Sequence, residues 1–169
     1  MSRVKWVINL LDKSFNRSTF DSRNLQLDNY LKKYAWQNQQ KRYSMTFVAT
    51  VEDSKEIAGY YCTSASSIEF TNIPDSLKKK LPKYPAPVML IGQLAVDRKM
   101  QGQGLGKVLL MHGLSKAVRI SGEMGLFAVI VDAIDESAKE FYLKYGFIAL
   151  QDAESSLILP IKTIIASRR

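Results

Sequence analysis

The sequence predicts an α/β fold in which helices pack on a mixed sheet. Residues 88–96 and 126–133 are almost continuously apolar, which is typical of strands in the middle of a sheet. Each is followed by a segment with helical periodicity, and a helix and a hairpin precede them, which indicates layers of helix and sheet. With 169 residues and neither an internal repeat nor a low-complexity linker, the chain is predicted to be a single domain over residues 1–169.

The first predicted element is a helix over residues 25–40, with Asp21 or Ser22 as its N-terminal cap. Its apolar positions recur at helical spacing and are Leu27, Tyr30, Leu31 and Tyr34. Residues 45–51 and 56–65 are predicted to be two strands joined by a polar turn. Residues 73–87 hold four of the five prolines and four lysines, which predicts a short helix or excursion and then a loop.

The C-terminal half is predicted to alternate between strands and helices. A helix over residues 104–121 follows the strand at 88–96 and ends at Gly122 or Gly125. Its predicted buried stripe is Leu105, Val108, Leu109, Leu114, Ala117 and Val118. After the strand at 126–133, a helix over 136–145 is capped by Asp135 and stopped by Gly146, and strands at 147–150 and 156–165 close the sheet.

Composition limits the class of protein and of partner. Hydrophobic residues make up 46% of the chain and charged residues 24%, and no apolar run approaches the roughly 20 residues that span a bilayer. The first residues lack the apolar core of a signal peptide, and Cys62 is the single cysteine, so we expect a cytoplasmic protein without a disulfide. The net charge of +8 favours an anionic partner, namely nucleic acid, a phosphorylated cofactor or an acidic protein.

Residues 101–107, named here the glycine loop, connect the strand at 88–96 to the next helix. Glycines let a ligand approach the backbone, and the N–H groups of a helix's first turn favour an anion, so this loop is predicted to hold phosphate. It is not a Walker loop, since Val108 follows Gly106-Lys107. It is not a dinucleotide fingerprint either, since Lys107 stands where the last glycine belongs.

The glycine loop resembles the pyrophosphate-binding pattern of the GNAT acetyltransferases, Gln/Arg-x-x-Gly-x-Gly/Ala, which reads here as Gln101 to Gly106. Leu94-Ala95-Val96-Asp97 matches the family's strand end, and residues 135–147 match its Asn-x-x-Ala-x-x-x-Tyr-x-x-x-Gly-Phe pattern, with Asp135 replacing the asparagine. The resemblance implies a GNAT fold, with a mostly antiparallel sheet, splayed central strands and flanking helices. It also implies acetyl-CoA as co-substrate, without a metal. The cofactor-binding residues it implies are Leu94, Ala95, Val96, Gln101, Gly102, Gln103, Gly104, Leu105, Gly106, Lys107, Asp135, Ala138 and Phe141.

Acetyl transfer to an amine needs a positioned thioester, a donor for the oxyanion and a proton for the departing thiolate. The resemblance implies that a backbone N–H near Leu94 or Ala95 faces the thioester oxygen and that Tyr142 is the general acid. Tyr145 and His112 are interpreted as packing or surface residues, and Cys62 as an apolar strand residue. The general base stays open, and its candidates are Glu52, Asp53, Glu69 and Asp132.

The N-terminal half is similar to the GNAT toxins of bacterial toxin–antitoxin pairs, which acetylate the amino acid on charged tRNA. Phe20-Asp21-Ser22-Arg23 stands where these toxins have Phe-Asp-Cys-Gly, and Gln93 stands where they commonly have arginine. The matching segments are residues 27–31, Ala35, Asn38-Gln39, Thr46-Phe47-Val48 and Gly59-Tyr60-Tyr61. This resemblance implies an aminoacyl-tRNA substrate, a homodimer and a ribbon-helix-helix antitoxin partner.

Basic residues supply candidate contacts to tRNA phosphates. They come from the first helix and from residues 78–83, named here the lysine segment, and are Lys32, Lys33, Lys78, Lys79, Lys80 and Lys83. Three other interpretations stay open. They are acetylation of a small or protein amine without tRNA, a CoA-binding module without catalysis, and a plain nucleic-acid-binding protein, for which the sequence has no recognisable module.

Overall fold

A computed structural model describes residues 4–168 and confirms the α/β fold class. The described strands are β1 (Trp6–Leu10), β2 (Met45–Val51), β3 (Gly59–Ile68), β4 (Ala86–Val96), β5 (Ala128–Asp132), β6 (Ile148–Leu150) and β7 (Ala153–Pro160). They form one sheet in the order β1-β2-β3-β4-β5-β7-β6. The helices are α1 (Leu25–Asn29), α2 (Ala35–Gln40), α3 (Leu105–Ser121), α4 (Glu136–Lys144) and α5 (Ile161–Ala166).

The chain divides into two compact units. The first holds residues up to Ser64 together with Gly92–Gly113, and β1, β2 and β3 pair antiparallel within it. Its core contains Phe20, Leu31 and Tyr60, which are at most 1% exposed. These side chains hold the N-terminal helical segment and the segment before it on the sheet.

A π-helical turn, Tyr30–Tyr34, joins α1 to α2, so the helix predicted over residues 25–40 is present with one irregular turn. Its cap differs from the prediction. Asn24 caps α1, because its side-chain oxygen accepts the Leu27 N–H. Ser22 was the wrong residue for this role, since its N–H and hydroxyl both donate to the buried carboxylate of Asp28.

The second unit holds Ala65–Ile91 and the chain after Gly113. Within it, β4 pairs parallel with β5 from Val88 to Ile91, and β7 pairs antiparallel with both β5 and β6. Because β4 runs on to Val96, its last part extends beyond the pairing with β5, as predicted for splayed central strands. The unit's core contains Ile73, Val88, Ala128 and Ile158.

Two elements differ from the sequence predictions. Strand β1 was not predicted, and it pairs along its whole length with β2. The strand predicted over residues 156–165 is wrong after Pro160, where the chain turns into α5. The helix forms here for two reasons. Pro160 precedes its first residue as the N-cap, and the side chains of Ile161 and Ile164 are buried one helical turn apart. No helix within residues 4–168 is long and apolar enough to cross a membrane.

Candidate active site

The backbone of the glycine loop is open to a ligand. Gly102 and Gly104 have φ angles of +80° and +84°, which L-amino acid residues rarely adopt. A Cβ atom built at either position would have no atom within 4 Å, so the space over the backbone is empty of protein. The loop is thereby shaped for a group that lies directly against the main chain.

The glycine loop ends in the 17-residue helix α3. The Val108 N–H donates to the Gly104 carbonyl, so the helix begins directly after the second glycine. The N–H groups of a first helical turn lack partners within the helix and carry its positive dipole end. Leu105 and Leu109 are buried and hold this end of the helix in place, while Lys107 is exposed. These features fit the pyrophosphate of acetyl-CoA.

A 3-10 turn, Arg98–Met100, leads from β4 into the glycine loop, and the side chains of Asp97 and Gln101 hold its two ends in place. The Gln101 side-chain amide donates to the carbonyls of Ser22, at 3.2 Å, and Val96, at 3.0 Å. The buried carboxylate of Asp97 accepts the N–H groups of Lys99 and Asp21 at 2.9 and 3.0 Å. Asp21 and Ser22, which belong to the segment that resembles the toxins, therefore hold the glycine loop in place.

Gly59 is a residue of the site whose packing role the sequence reasoning missed. A Cβ at Gly59 would lie 3.0 Å from the Ala95 carbonyl oxygen and equally close to the side chains of Leu105 and Leu109. No larger residue fits without movement, so Gly59 lets β3 pack closely against β4 and α3. A glycine within a predicted strand is the sequence signal for such a close approach of two backbones.

At the end of β4, Ala95 is buried and Leu94 and Val96 are half-buried. The Asp97 N–H donates to the Ala58 carbonyl at 2.8 Å, which holds the strand end in position. Gln93, the residue that replaces the toxins' arginine, is also half-buried.

Tyr142 lies on α4, in the second unit, and is 5% exposed. Its ring packs edge-on against Phe141 and Phe147, at centroid distances of 5.3 and 5.5 Å. Burial, with a smaller contribution from Asp132, raises the pKa of the Tyr142 phenol. The phenol therefore stays protonated at neutral pH, as a proton donor must.

Asp135 caps α4 through a 2.8 Å hydrogen bond from the Ala138 N–H to its carboxylate. This bond confirms the predicted cap. Phe141 and Ala138 are half-buried on the same helix.

The four candidate bases have different surroundings. Glu52 forms an exposed ion pair with Lys5, and Glu69 is exposed at the start of a 3-10 turn. Asp53 lies in the β2–β3 turn with a positive φ. Asp132, at the end of β5, accepts a 2.7 Å hydrogen bond from the Ser156 hydroxyl and acts electrostatically on Tyr142.

The other reactive side chains are part of the packing. His112 shares a 2.5 Å hydrogen bond with the Tyr61 hydroxyl and lies against the Phe47 ring. Cys62 is buried, and burial raises the pKa of its thiol to about 12, although the Thr46 hydroxyl is 3.2 Å away. Within residues 4–168, no group of three His, Cys, Asp or Glu side chains is placed to hold a metal ion.

The lysines of the lysine segment are exposed, except for the first of them. Lys78 forms an ion pair of 3.2 Å with Asp75 and lies over the Phe70 ring. Lys79, Lys80 and Lys83 are exposed. In the first unit, Lys32 and Lys33 are exposed on the π-helical turn. Lys78 thus differs from the other predicted phosphate contacts, because its ammonium group already has partners within the protein.

The sequence matches the acetyltransferase (GNAT) family over residues 8–147. A tRNA-acetylating toxin of Mycobacterium tuberculosis is 35% identical over 130 residues, which cover 77% of this chain and 76% of that toxin. The solved structure of AtaT complexed with acetyl-methionyl-tRNAfMet has a TM-score of 0.91 and 27% identity, covering 98% of this chain and 100% of that chain.

A third relative is an AtaT mutant toxin bound to the C-terminus of the antitoxin AtaR and to acetyl-CoA. It has a TM-score of 0.82 and 25% identity over 96% of this chain and 97% of that chain. The chain therefore belongs to the GNAT family of acetyltransferases.

Proposed function

We propose that this protein transfers the acetyl group of acetyl-CoA to the amino group of aminoacyl-tRNA and thereby acts as a toxin that blocks translation. The observation that carries the proposal is the 35% identity to a tRNA-acetylating toxin over 77% of the chain. The AtaT complex with acetyl-methionyl-tRNAfMet, which is similar over nearly the whole chain, supports the same substrate class.

Acetyl-CoA, when bound, supplies the activated acetyl group as a thioester. The Gly102 and Gly104 backbone and the first turn of α3 hold the pyrophosphate, with Lys107 as a nearby cation. Gln101 keeps this backbone in place through its two hydrogen bonds. A backbone N–H near Leu94 or Ala95 binds the oxygen on which negative charge develops.

Tyr142 gives its phenolic proton to the departing thiolate. The place of Tyr142 in the motif that resembles the family's tyrosine supports this role, and burial keeps the phenol protonated until the thiolate departs. An amino group on an ester-linked amino acid is less basic than a lysine amine, so a fraction of it is neutral at pH 7 and attacks without an enzymic base.

Exposed lysines hold the tRNA by its phosphates. We assign this role to Lys79, Lys80 and Lys83 of the lysine segment and to Lys32 and Lys33. Lys78 contributes less, because Asp75 and the Phe70 ring already engage its ammonium.

The test is an acetylation assay with labelled acetyl-CoA and matched pools of charged tRNA, uncharged tRNA and free amino acids. We expect label only in the charged pool. Tyr142→Phe keeps the ring and its packing, so folding and acetyl-CoA affinity should persist while turnover falls by about 10²–10⁴-fold. Label in free amines at the rate seen with charged tRNA would exclude the tRNA-directed function, and a Tyr142→Phe variant with wild-type turnover would exclude the acid role.

Two features of assembly complete the proposal: a homodimer, and a ribbon-helix-helix antitoxin as partner. The AtaT mutant bound to the C-terminus of its antitoxin supports the second. Analytical ultracentrifugation measures the oligomeric state, and a monomer at micromolar concentration would exclude the homodimer. Co-expression with the product of a neighbouring small gene should relieve growth arrest if that product is the antitoxin.

A further inference from the structure

A groove of about 440 Å³ opens on the first unit beside the start of its helical segment. Residues from the β1–α1 connection and one residue of the π-helical turn form its walls. They are Phe15, Asn16, Arg17, Ser18 and Lys32. The groove therefore brings together two cations, two polar side chains and one aromatic ring.

The two cations are not neutralised by the chain. Arg17 is half-buried and Lys32 is exposed, and neither forms an ion pair with another residue of the 4–168 region. The carboxylate of Glu56 lies beside the groove, because it is bonded to the wall residue Asn16, but it forms no ion pair with Arg17 or Lys32 in the described part of the chain. Its two oxygens accept hydrogen bonds of 2.8 Å from Asn16 and Thr19, which lower the pKa of Glu56.

Further positive charge borders the groove. The Lys55 ammonium lies 4.8 Å from the centre of the Phe15 ring, which lines the groove. The aromatic ring holds this ammonium group close to the groove. An anion entering the groove would meet the charges of Arg17 and Lys32, with Lys55 beside them.

We propose that this groove binds a backbone phosphate of the RNA substrate, with the Arg17 guanidinium and the Lys32 ammonium as its ligands. The assignment rests on the proposed function. The guanidinium fork matches two phosphate oxygens at once, and a lysine adds a point charge. An open groove lets an RNA strand continue on both sides of the bound phosphate, and Arg17 becomes an RNA contact that no sequence motif indicated.

The test compares the Arg17→Ala/Lys32→Ala double variant with the wild-type protein on charged tRNA over a salt series. We expect KM for charged tRNA to rise by about tenfold and the salt slope to fall by about one for each lost contact. The kcat at saturating tRNA and the Kd for acetyl-CoA should not change. Arg17→Lys should recover part of the loss, since it keeps the charge without the fork.

Lys144→Ala/Lys162→Ala is the matched control, because it removes two exposed lysines, on α4 and α5, that do not line the groove. An unchanged KM for charged tRNA in the double variant would overturn the proposal. So would a rise in the Kd for acetyl-CoA with KM for tRNA unchanged, because the groove would then hold a cofactor phosphate. Failure of the proposed function would appear in the wild-type protein itself, as no acetylation of any charged tRNA.

Discussion

Gln101 of the glycine loop is held by two hydrogen bonds from its side chain, whereas Lys79, Lys80 and Lys83 of the lysine segment extend into solvent. Both regions offer groups suited to phosphate. The loop presents fixed backbone N–H groups, which suit one compact pyrophosphate in a single position. The lysines present mobile charges, which suit a long polyanion and depend on salt. Substitutions in the glycine loop should therefore change cofactor binding, and substitutions in the lysine segment should change RNA binding, independently of each other.

Of these two regions, the glycine loop is expected to give the larger effect. Gly104→Glu places a negative side chain at a backbone φ of +84°, where strain alone costs an L-residue about 1–2 kcal/mol. With like-charge repulsion added, acetyl-CoA affinity should fall by about a hundredfold or more in titration calorimetry. Gly125→Glu is the control, since Gly125 has open space and an ordinary φ. Equal affinities of the two variants would remove the loop from the site.

A smaller effect is expected in the lysine segment. Replacing Lys79, Lys80 and Lys83 by alanine should raise KM for charged tRNA by about tenfold and lower the salt slope by about three. Acetyl-CoA affinity should stay constant, because the glycine loop is untouched. The control replaces Lys41, Lys144 and Lys162, three exposed lysines elsewhere, by alanine. If both triple variants change KM equally, net charge rather than the lysine segment attracts the RNA.

The smallest effect is expected at Arg23, directly after the two residues that hold the glycine loop in place. Arg23 has a φ of +71°, a conformation that favours glycine, and the resemblance to the toxins implies a glycine at this position. Arg23→Gly should raise the free energy of unfolding by about 1 kcal/mol, which corresponds to roughly 2–4 °C in Tm. Arg23→Ala removes the charge but keeps the strain, so its Tm should not rise. A thermal melt in which both variants match the wild type would show that the strain is relieved elsewhere.

Local pattern predicted most of the fold. The helix at residues 104–121, the cap at Asp135 and the strand at residues 45–51 depend on neighbouring residues, and each is present. The β-branched run after Pro160 misled the prediction, because Ile161 and Ile164 are buried at helical spacing. Strand β1 is short, and its pairing with β2 depends on residues about 40 positions later in the chain.

The assignment of the glycine loop and Tyr142 to the site stays a prediction, which the sequence allows because their residues form continuous motifs. The anchor from Gln101 to Ser22 was not predicted, since it joins residues 79 positions apart and needs the folded chain to bring them together. Lys78 was grouped with its neighbours because all are lysines, whereas its ion pair with Asp75 and its contact with Phe70 depend on local geometry. Contacts that depend on the folded geometry, such as these, could not be predicted from the sequence pattern alone.

The burial of Cys62 has a practical consequence for spectroscopy. It is the chain's single cysteine, is 1% exposed, and has a thiol pKa of about 12, so maleimides find almost no reactive thiolate at neutral pH. A Lys162→Cys substitution on the exposed side of α5 would then carry the single label, with no need to remove the native cysteine. Fluorescence anisotropy with that label would follow RNA binding directly on an otherwise unmodified protein.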